Sequence, residues 1–386
     1  KLNQIVAYFV IVAGESSGDI LGSSVIRELK KNNPEHEFKG ITGPRMTEAG
    51  CEPWFDIEDL SVMGIFDVIK HLPRLYKIRN QVIKKIIERP PDAFIGIDYP
   101  EFNLNIEGVL KKRGIQTIHM VSPSFWAWRE NRIKTFNKKI DLMLCLFPFE
   151  EGLLQEQGLR AIFIGHPLAD SIPIVTDQIA AKKDLGINDD LVISLMPGSR
   201  RSEISFHAKL IFDAANKLKN ELATSGIDRV RFLVPSKFPD LKDLLIKYHP
   251  KDIDNYMFLE DSKKAISASN LVITKSGTST LESALYKKPT VVIYRMPTIS
   301  YLFLKLLNVV KTEFAALPNI LLEKEIFPEL IQNQATSENI KNEALRWINQ
   351  KDEVDSTIED LTHLHRQLRK NAGETAAQII EKAVAS

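Results

Sequence analysis

Ile5-Val-Ala-Tyr-Phe-Val-Ile-Val-Ala13 runs without interruption into Gly14-Glu-Ser-Ser-Gly-Asp19. An unbroken apolar run rich in β-branched residues suits a strand buried on both faces. The two glycines that follow permit a tight turn and open backbone amides to a ligand before a helix begins. The run is shorter than the ~20 residues that span a bilayer and has no small-residue cleavage pattern, so it is read as a first buried strand. The turn lacks the GxGxxG dinucleotide spacing.

The same alternation continues outward. Asp92 to Ile97, Ile115 to Met120 and Leu142 to Leu146 read as further parallel strands, with amphipathic stretches between them. After the turn-rich Gly165-His-Pro and Ile172-Pro-Ile-Val-Thr-Asp the pattern restarts with Leu191 to Met196, Val230 to Val234, Tyr256 to Leu259, Leu271 to Thr274 and Thr290 to Ile293. Repeated strand, helix, strand order implies right-handed crossovers and doubly wound sheets. The 386 residues exceed the ~250–300 at which single cores stop growing. The expectation is α/β: a Rossmann-like domain over 1–170, a second over 171–345, and helices over 346–386, with Glu353 to Lys370 and Gly373 to Val384 as the terminal ones. Two such domains facing each other would bind ligands in a cleft at the carboxyl ends of their strands.

Composition narrows the class. With 51 basic and 50 acidic residues and 44% hydrophobic content, this is an ordinary globular composition that points to no nucleic acid. Cys51 and Cys145 lie far apart without a CxxC or Cys/His cluster, which argues against a zinc site or a disulfide framework and fits a reducing compartment. No transmembrane segment is visible, so any membrane contact would be peripheral.

Three strand-to-helix turns carry candidate chemistry. The first holds Gly14, Ser17 and Gly18, read either as a structural βα turn or as a sugar or acceptor contact. The second, Met196-Pro-Gly-Ser-Arg-Arg-Ser-Glu203, offers Gly198, the Ser199 hydroxyl and the Arg200 cation ahead of a helix start, the parts of a phosphate site. A solvated basic loop capped by Ser202 is the plainer reading. The third, Thr274-Lys-Ser-Gly-Thr-Ser-Thr-Leu-Glu282, has Ser276, Gly277, Thr278 and Ser279 placed for phosphate oxygens. Ser279 and Glu282 have capping-box spacing, while a ribose-binding carboxylate is the alternative for Glu282. Two phosphate-type turns in one domain suit a nucleoside diphosphate. Tyr294 and Arg295 end another strand where a base could bind, and Asn319 of Leu317-Pro-Asn319 places an amide in a nearby turn.

Asp98 follows a buried strand in Ile97-Asp-Tyr-Pro, where a carboxylate at a strand end can act as general base, or simply as a turn or N-cap residue. His119 and His166 are further proton carriers, or packed histidines. Asp252-Ile-Asp254 has a DxD look but lies in a polar stretch off any strand end, so a solvated loop is expected and no metal site. Val62, Ile65, Phe66, Ile69, Leu72 and Tyr76 recur at helical spacing among Lys70, Arg74, Lys77 and Arg79. Such a segment either covers a core or rests in a bilayer interface. Ser124-Phe-Trp-Ala-Trp-Arg-Glu-Asn-Arg132 adds aromatic and cationic groups suited to that boundary or to stacking on a sugar.

Taken together, Val12-Ala-Gly-Glu-Ser-Ser-Gly-Asp19, Gly43-Pro-Arg-Met46, Val62-Met-Gly-Ile65, Gly96-Ile-Asp98, Val121-Ser-Pro-Ser-Phe-Trp-Ala-Trp-Arg129, Ile164-Gly-His166, Pro197-Gly-Ser-Arg200, Ser276-Gly-Thr278, Thr280-Leu-Glu282, Tyr294-Arg-Met296 and Leu317-Pro-Asn319 resemble the lipid-A-disaccharide synthase family in order over about residues 10 to 320. That resemblance implies a GT-B fold and an inverting transfer of 2,3-diacylglucosamine from its UDP derivative to the 6-hydroxyl of 2,3-diacylglucosamine 1-phosphate. The products are the β-1,6 lipid A disaccharide 1-phosphate and UDP. By the same resemblance Asp98 matches the proposed base, Arg200 and Asn319 match essential polar positions near UDP, and Ser276 to Glu282 with Tyr294 and Arg295 match the nucleotide-binding region. No cofactor is implied. The first domain would face the acceptor and the cytoplasmic side of the inner membrane, and the second would bind the UDP-sugar. The terminal helices would cross back onto the first domain or be exchanged within a homodimer. A UDP-N-acetylglucosamine 2-epimerase, a peptidoglycan-type transferase or a non-enzymatic nucleotide-sugar binder would share the UDP turns but not the lipid-facing helix or, for the last, the base.

Overall fold

The computed structural model describes residues 6–60, 65–123, 133–249, 251, 253–297 and 313–385, with backbone alone for 65–71. The chain divides into two compact units, residues 1–170 with 368–386, and residues 171–367.

The first unit is built on a seven-stranded parallel sheet. Its strands are β1 (Tyr8–Ala13), β2 (Glu37–Thr42), β3 (Glu52–Asp56), β4 (Ala93–Ile97), β5 (Gln116–Met120), β6 (Leu142–Cys145) and β7 (Ala161–Phe163), in the order β3-β2-β1-β4-β5-β6-β7. The period of two along β1 decides its packing. Phe9, Ile11 and Ala13 pack with Leu21, Val25 and Leu29 of the helix Ser16–Asn32, whereas Val10 and Val12 pack with Val82 and Ile86 of Ile65–Glu88 and with Phe102 and Ile106 of Pro100–Lys111. Each such fully buried large side chain contributes roughly 1.5–3 kcal/mol. The C-terminal helix Ala372–Ala385 joins this core through Ala376, Ala377 and Ile380.

The second unit holds β8 (Leu191–Met196), β9 (Val230–Pro235), β10 (Tyr256–Leu259), β11 (Leu271–Lys275), β12 (Thr290–Tyr294) and β13 (Glu329–Ile331), all parallel in the order β10-β9-β8-β11-β12-β13. Ile193 and Leu195 face Ala208, Ile211 and Phe212 of the helix Arg201–Thr224 on one side of the sheet. Val192 faces Ala265 and Ala268 of Ser262–Ala268 on the other. Trp347 of Ser337–Asn349 is buried in the first of these layers and donates its indole N–H to the Thr290 carbonyl at 3.2 Å.

Strand order reverses between β1 and β4 in one sheet and between β8 and β11 in the other. In doubly wound folds such switch points are where loops diverge and ligands bind. The turn after β1 and Asp98 after β4 flank the first, while Gly198–Arg200 and Ser276–Ser279 flank the second.

Candidate functional site

In the first unit β1 pairs with β4 so that Ala13 lies beside Ile97. This brings the Gly14 turn against Tyr99, and a Cβ on Gly14 would come within 2.5 Å of the Tyr99 Cβ. Gly14 is therefore a place where Tyr99 fits. Gly18 is not in the turn at all: it is buried in the first turn of Ser16–Asn32, against Ala13 and Ile97. Both glycines of the opening motif are therefore required by packing, and Gly18 stands in the first turn of the helix and not in the loop before it. Ser17 is exposed at the start of that helix. The motif's last residue, Asp19, is buried and accepts the backbone N–H groups of Gly43, Arg45 and Met46 at 2.9–3.0 Å, tying two of the quoted motifs together.

Asp98 and Tyr99 both adopt left-handed backbone, with φ of +53° and +47°. For residues with a Cβ this costs ~1–2 kcal/mol apiece. What holds them there is a set of hydrogen bonds from each side. The Asp98 N–H donates to the Met120 carbonyl at 2.8 Å, and the Asn103 amide donates to the Asp98 carbonyl at 2.8 Å. The Tyr99 N–H donates to Asp98 Oδ1 at 2.8 Å. Asp98 is only partly buried, and its Oδ2 takes no hydrogen bond among the described residues.

Beneath Asp98 runs a buried polar column. Asn103 and Glu107 lie one turn apart on Pro100–Lys111, and Glu107 Oε1 is 2.8 Å from His119 Nδ1 on β5, with no side-chain exposure of either partner. Gly96, the register partner of His119, lets them pass, because a Cβ there would overlap Glu107 Oε1 and crowd Asn103. His119 is therefore a packed, hydrogen-bonded histidine and not a surface proton carrier. His166 is likewise structural: its Nδ1 accepts the Leu168 N–H, its ring lies on Phe147, and burial lowers its pKa to about 4.

In the second unit a cavity of about 310 Å³ is lined by Gly198, Ser199, Lys275, Thr278, Ser279 and Glu282, with Pro235–Phe238 on another side. The two turns meet through one carboxylate. Glu203 Oε2 accepts the Ser199 N–H at 2.9 Å, and Oε1 lies 3.0 Å from Lys275 Nζ and 3.8 Å from Arg200 Nη1. Burial works against this carboxylate's charge, but the Lys275 ammonium and the Ser199 N–H outweigh it and hold its pKa below the usual value. Arg200 itself is the exposed N-cap residue of Arg201–Thr224, so the helix is not capped by Ser202.

Several expected roles change here. Gly277, not Ser279, caps the helix Thr278–Leu285, with φ of +155°, so Ser279 and Glu282 form no capping box. The Ser279 hydroxyl is 2.8 Å from Thr274 Oγ1, and the Ser276 hydroxyl donates to the Ala315 carbonyl at 2.8 Å. Each hydroxyl thus has a partner inside the chain, while Thr278 is exposed at the start of the helix beside its first N–H groups. Glu282 lines the cavity, accepts the Ser262 hydroxyl at 3.1 Å and has its pKa raised by burial.

Asn319 is fully buried, and its amide is saturated. Its nitrogen donates to Phe327 O and Glu329 Oε1, both at 2.8 Å, and its oxygen accepts the N–H groups of Ile326 and Phe327 at 3.0 and 2.9 Å. The amide that the resemblance marks as an essential polar position has all four of its hydrogen bonds inside the chain. Glu329 also accepts the Ala315 and Ala316 N–H groups, and Ala315 in turn holds Ser276.

Sequence reasoning missed Lys275 and Glu203, although both stand inside quoted turns, because nothing in one dimension says that they meet. It also missed His207, which is buried, accepts the Arg295 N–H on Nε2 at 2.9 Å and pairs Nδ1 with the Glu203 carbonyl at 2.7 Å. Accepting on Nε2 requires a neutral ring, and burial lowers its pKa accordingly. His207 thereby fixes Arg295 beside the half-buried Tyr294. Asp252 and Ser124–Arg132 lie outside the described residues, as do residues 62–64 and the side chains of 65–71. Among the described residues no group of three or more His, Cys, Asp or Glu is arranged to hold a metal.

The family model for lipid-A-disaccharide synthetase matches residues 9–383. The chain belongs to that family. It is 40% identical over 374 residues to the lipid-A-disaccharide synthase of Pseudomonas putida KT2440, covering 96% of each chain. To that of Xanthomonas campestris pv. campestris strain 8004 it is 39% identical over 375 residues, covering 96% of this chain and 84% of the relative. In fold it is similar to Acinetobacter baumannii MurG (TM-score 0.59, 13% identity, 98% and 100% covered). It is also similar to the Neisseria meningitidis UDP-GlcNAc 2-epimerase bound to UDP-GlcNAc (TM-score 0.57, 13% identity, 99% and 100% covered). The architecture is GT-B, with two Rossmann-like domains. As a member of the family the chain is a glycosyltransferase of lipid A synthesis, moving 2,3-diacylglucosamine from its UDP derivative to 2,3-diacylglucosamine 1-phosphate with release of UDP.

Proposed function

We propose that Asp98 is the general base of this transfer, that Gly198–Arg200 and the N-terminus of Thr278–Leu285 hold the donor diphosphate, and that Glu282 receives the ribose. The observation that carries the reading is the strained strand-end Asp98, bound at its N–H, carbonyl and one carboxylate oxygen while Oδ2 is left to an incoming group. The acceptor 6-hydroxyl gives its proton to Asp98 as its oxygen attacks the anomeric carbon from the face opposite UDP. The bond to the diphosphate breaks and the α linkage becomes β. The negative charge that develops on the leaving diphosphate is met by Arg200 and by helix N–H groups. Asn319 supports this seat indirectly, through Glu329, Ala315 and Ser276.

Residues 62–79 are proposed to contact the membrane surface. No helix among the described residues is long and apolar enough to cross a bilayer, whereas Leu72 and Tyr76 are 39% and 51% exposed, with Arg79 stacked on Tyr76. Exposed apolar groups beside cations suit an interfacial helix. Replacing both with Ser should lower recovery with anionic vesicles. Unchanged recovery removes the contact.

The deciding assay forms product from UDP-2,3-diacylglucosamine and 2,3-diacylglucosamine 1-phosphate in detergent, comparing the natural protein with Asp98→Asn. A disaccharide 1-phosphate from the natural protein, with turnover lost in a variant that still binds UDP, is the expected result. Equal turnover removes Asp98 from the mechanism.

A further inference from the structure

We infer that Glu203 is an internal anion standing in for the donor diphosphate, and that Lys275 exchanges this carboxylate for a phosphate oxygen when the donor binds. The inference rests on the UDP seat proposed above. Three observations carry it. First, Glu203 is held by the donors that a phosphate would use at these two turns: a turn N–H, an ammonium and, at 3.8 Å, a guanidinium. Second, each turn's glycine clears space for one partner of the pair. A Cβ on Gly198, at φ +139°, would come within 2.5 Å of the Glu203 Cβ, and one on Gly277, at φ +155°, within 3.0 Å of Lys275 Nζ. Third, both side chains of the pair are 18% exposed and Lys275 lines the cavity, so its ammonium is within reach of a ligand there.

The pair lies at the cavity wall, so a ligand entering the cavity can reach the Lys275 ammonium without unpacking the core. A diphosphate presents more charge and more acceptor oxygens than one carboxylate, so exchange favours the ligand. The Glu203 carboxylate keeps the Ser199 N–H, and the neutral His207 below it keeps the helix start in place. The two turns are thereby pre-organised, and their cations are kept from repelling one another.

Calorimetric titration of the full-length protein with UDP and with uridine tests this, on Lys275→Ala, Lys275→Arg, Glu203→Gln and the double variant Glu203→Gln/Lys275→Ala. Gln at 203 can still accept the Ser199 N–H, so the turn is retained. Lys275→Ala should weaken UDP at least ~10-fold with uridine unchanged, and Lys275→Arg should keep most of the affinity. Glu203→Gln should tighten UDP several-fold, and that gain should vanish in the double variant. If Glu203→Gln instead weakens UDP as much as Lys275→Ala does, the pair is a scaffold and the inference falls. If the natural protein binds UDP no better than uridine, the diphosphate seat itself is misplaced. A melting curve for each variant separates these outcomes from unfolding.

Discussion

The two switch points are built in opposite ways. At the first, Asp98 is locked: two successive residues are forced into left-handed backbone and held by hydrogen bonds above a polar column of Asn103, Glu107 and His119 that is shut off from solvent. At the second, the turns are glycine-opened, and the groups that join them are partly exposed and exchangeable. The general base proposed here must be aimed within a fraction of an ångström, since misplacement costs rate steeply. A diphosphate seat must instead release its product every turnover. The first region is shut off from water, with Glu107 and His119 paired although Asn103 Oδ1, Glu107 Oε2 and His119 Nε2 have no partner among the described residues, and the second is left near water.

The largest effect expected from this contrast is at Asp98. Asp98→Asn should lower kcat at least ~100-fold, the scale of losing a general base, with the UDP dissociation constant unchanged by calorimetry. Equal loss of UDP binding would end the division of labour between the two regions.

Next comes the column. Glu107→Leu leaves the buried His119 without its carboxylate and should cost about 1–3 kcal/mol in urea unfolding, with kcat falling for the folded fraction while UDP affinity holds. Replacing both partners by Leu should recover most of that stability, since no polar group is then orphaned. If kcat returns with it, the column supports the fold and does not aim Asp98.

On the exchangeable side, Gly198→Ala puts a Cβ against Glu203 at a φ of +139°. It should cost about 1 kcal/mol or more and weaken UDP, leaving the Asp98-dependent step of bound donor unaffected in single-turnover measurements.

The smallest effect is at His166, at the end of β7, whose N–H donates to the Leu368 carbonyl and so fastens the returning C-terminal segment. Its folded pKa of about 4 lies below the ordinary 6.5, so the unfolded chain takes up the proton first. The neutral ring's stabilisation is present above pH ~6.5 and is lost as pH falls towards ~4. About 1 kcal/mol should disappear between pH 7 and 5.5 in the natural protein, and His166→Asn should flatten that slope.

Much of this molecule was legible in one dimension. The strand cores of both sheets were readable because a strand buried on two faces is apolar almost throughout, as in Phe9 to Ala13, or in Leu191 to Met196 where Ser194 alone is polar and is paired with Ser269. β2, β3, β7 and β13 escaped: β3, β7 and β13 are short edge strands, and β2, although paired on both sides, has its apolar run broken by Glu37, Lys39 and Gly40. Asp98, Gly198 to Arg200 and Glu282 stood out as candidates because a carboxylate, a glycine or a cation is conspicuous where the apolar residues of a strand stop. The partners of Ser276, Ser279 and Asn319 were not legible, because a hydroxyl or amide bonded within the chain looks like a free one until its partners are placed.

The sequence by itself determined the α/β class, the two-sheet repetition and the turns where chemistry resides, since these follow from local periodicity and from residue types that neighbours in the chain constrain. Tertiary structure alone decided who partners whom: Glu107 with His119, Asn319 with Glu329, and Glu203 with Lys275, the last pair 72 positions apart. Hydrogen bonds and ion pairs act over about 3 Å in space whatever the separation along the chain, so only the folded chain shows which polar groups are spent and which are left for the substrate.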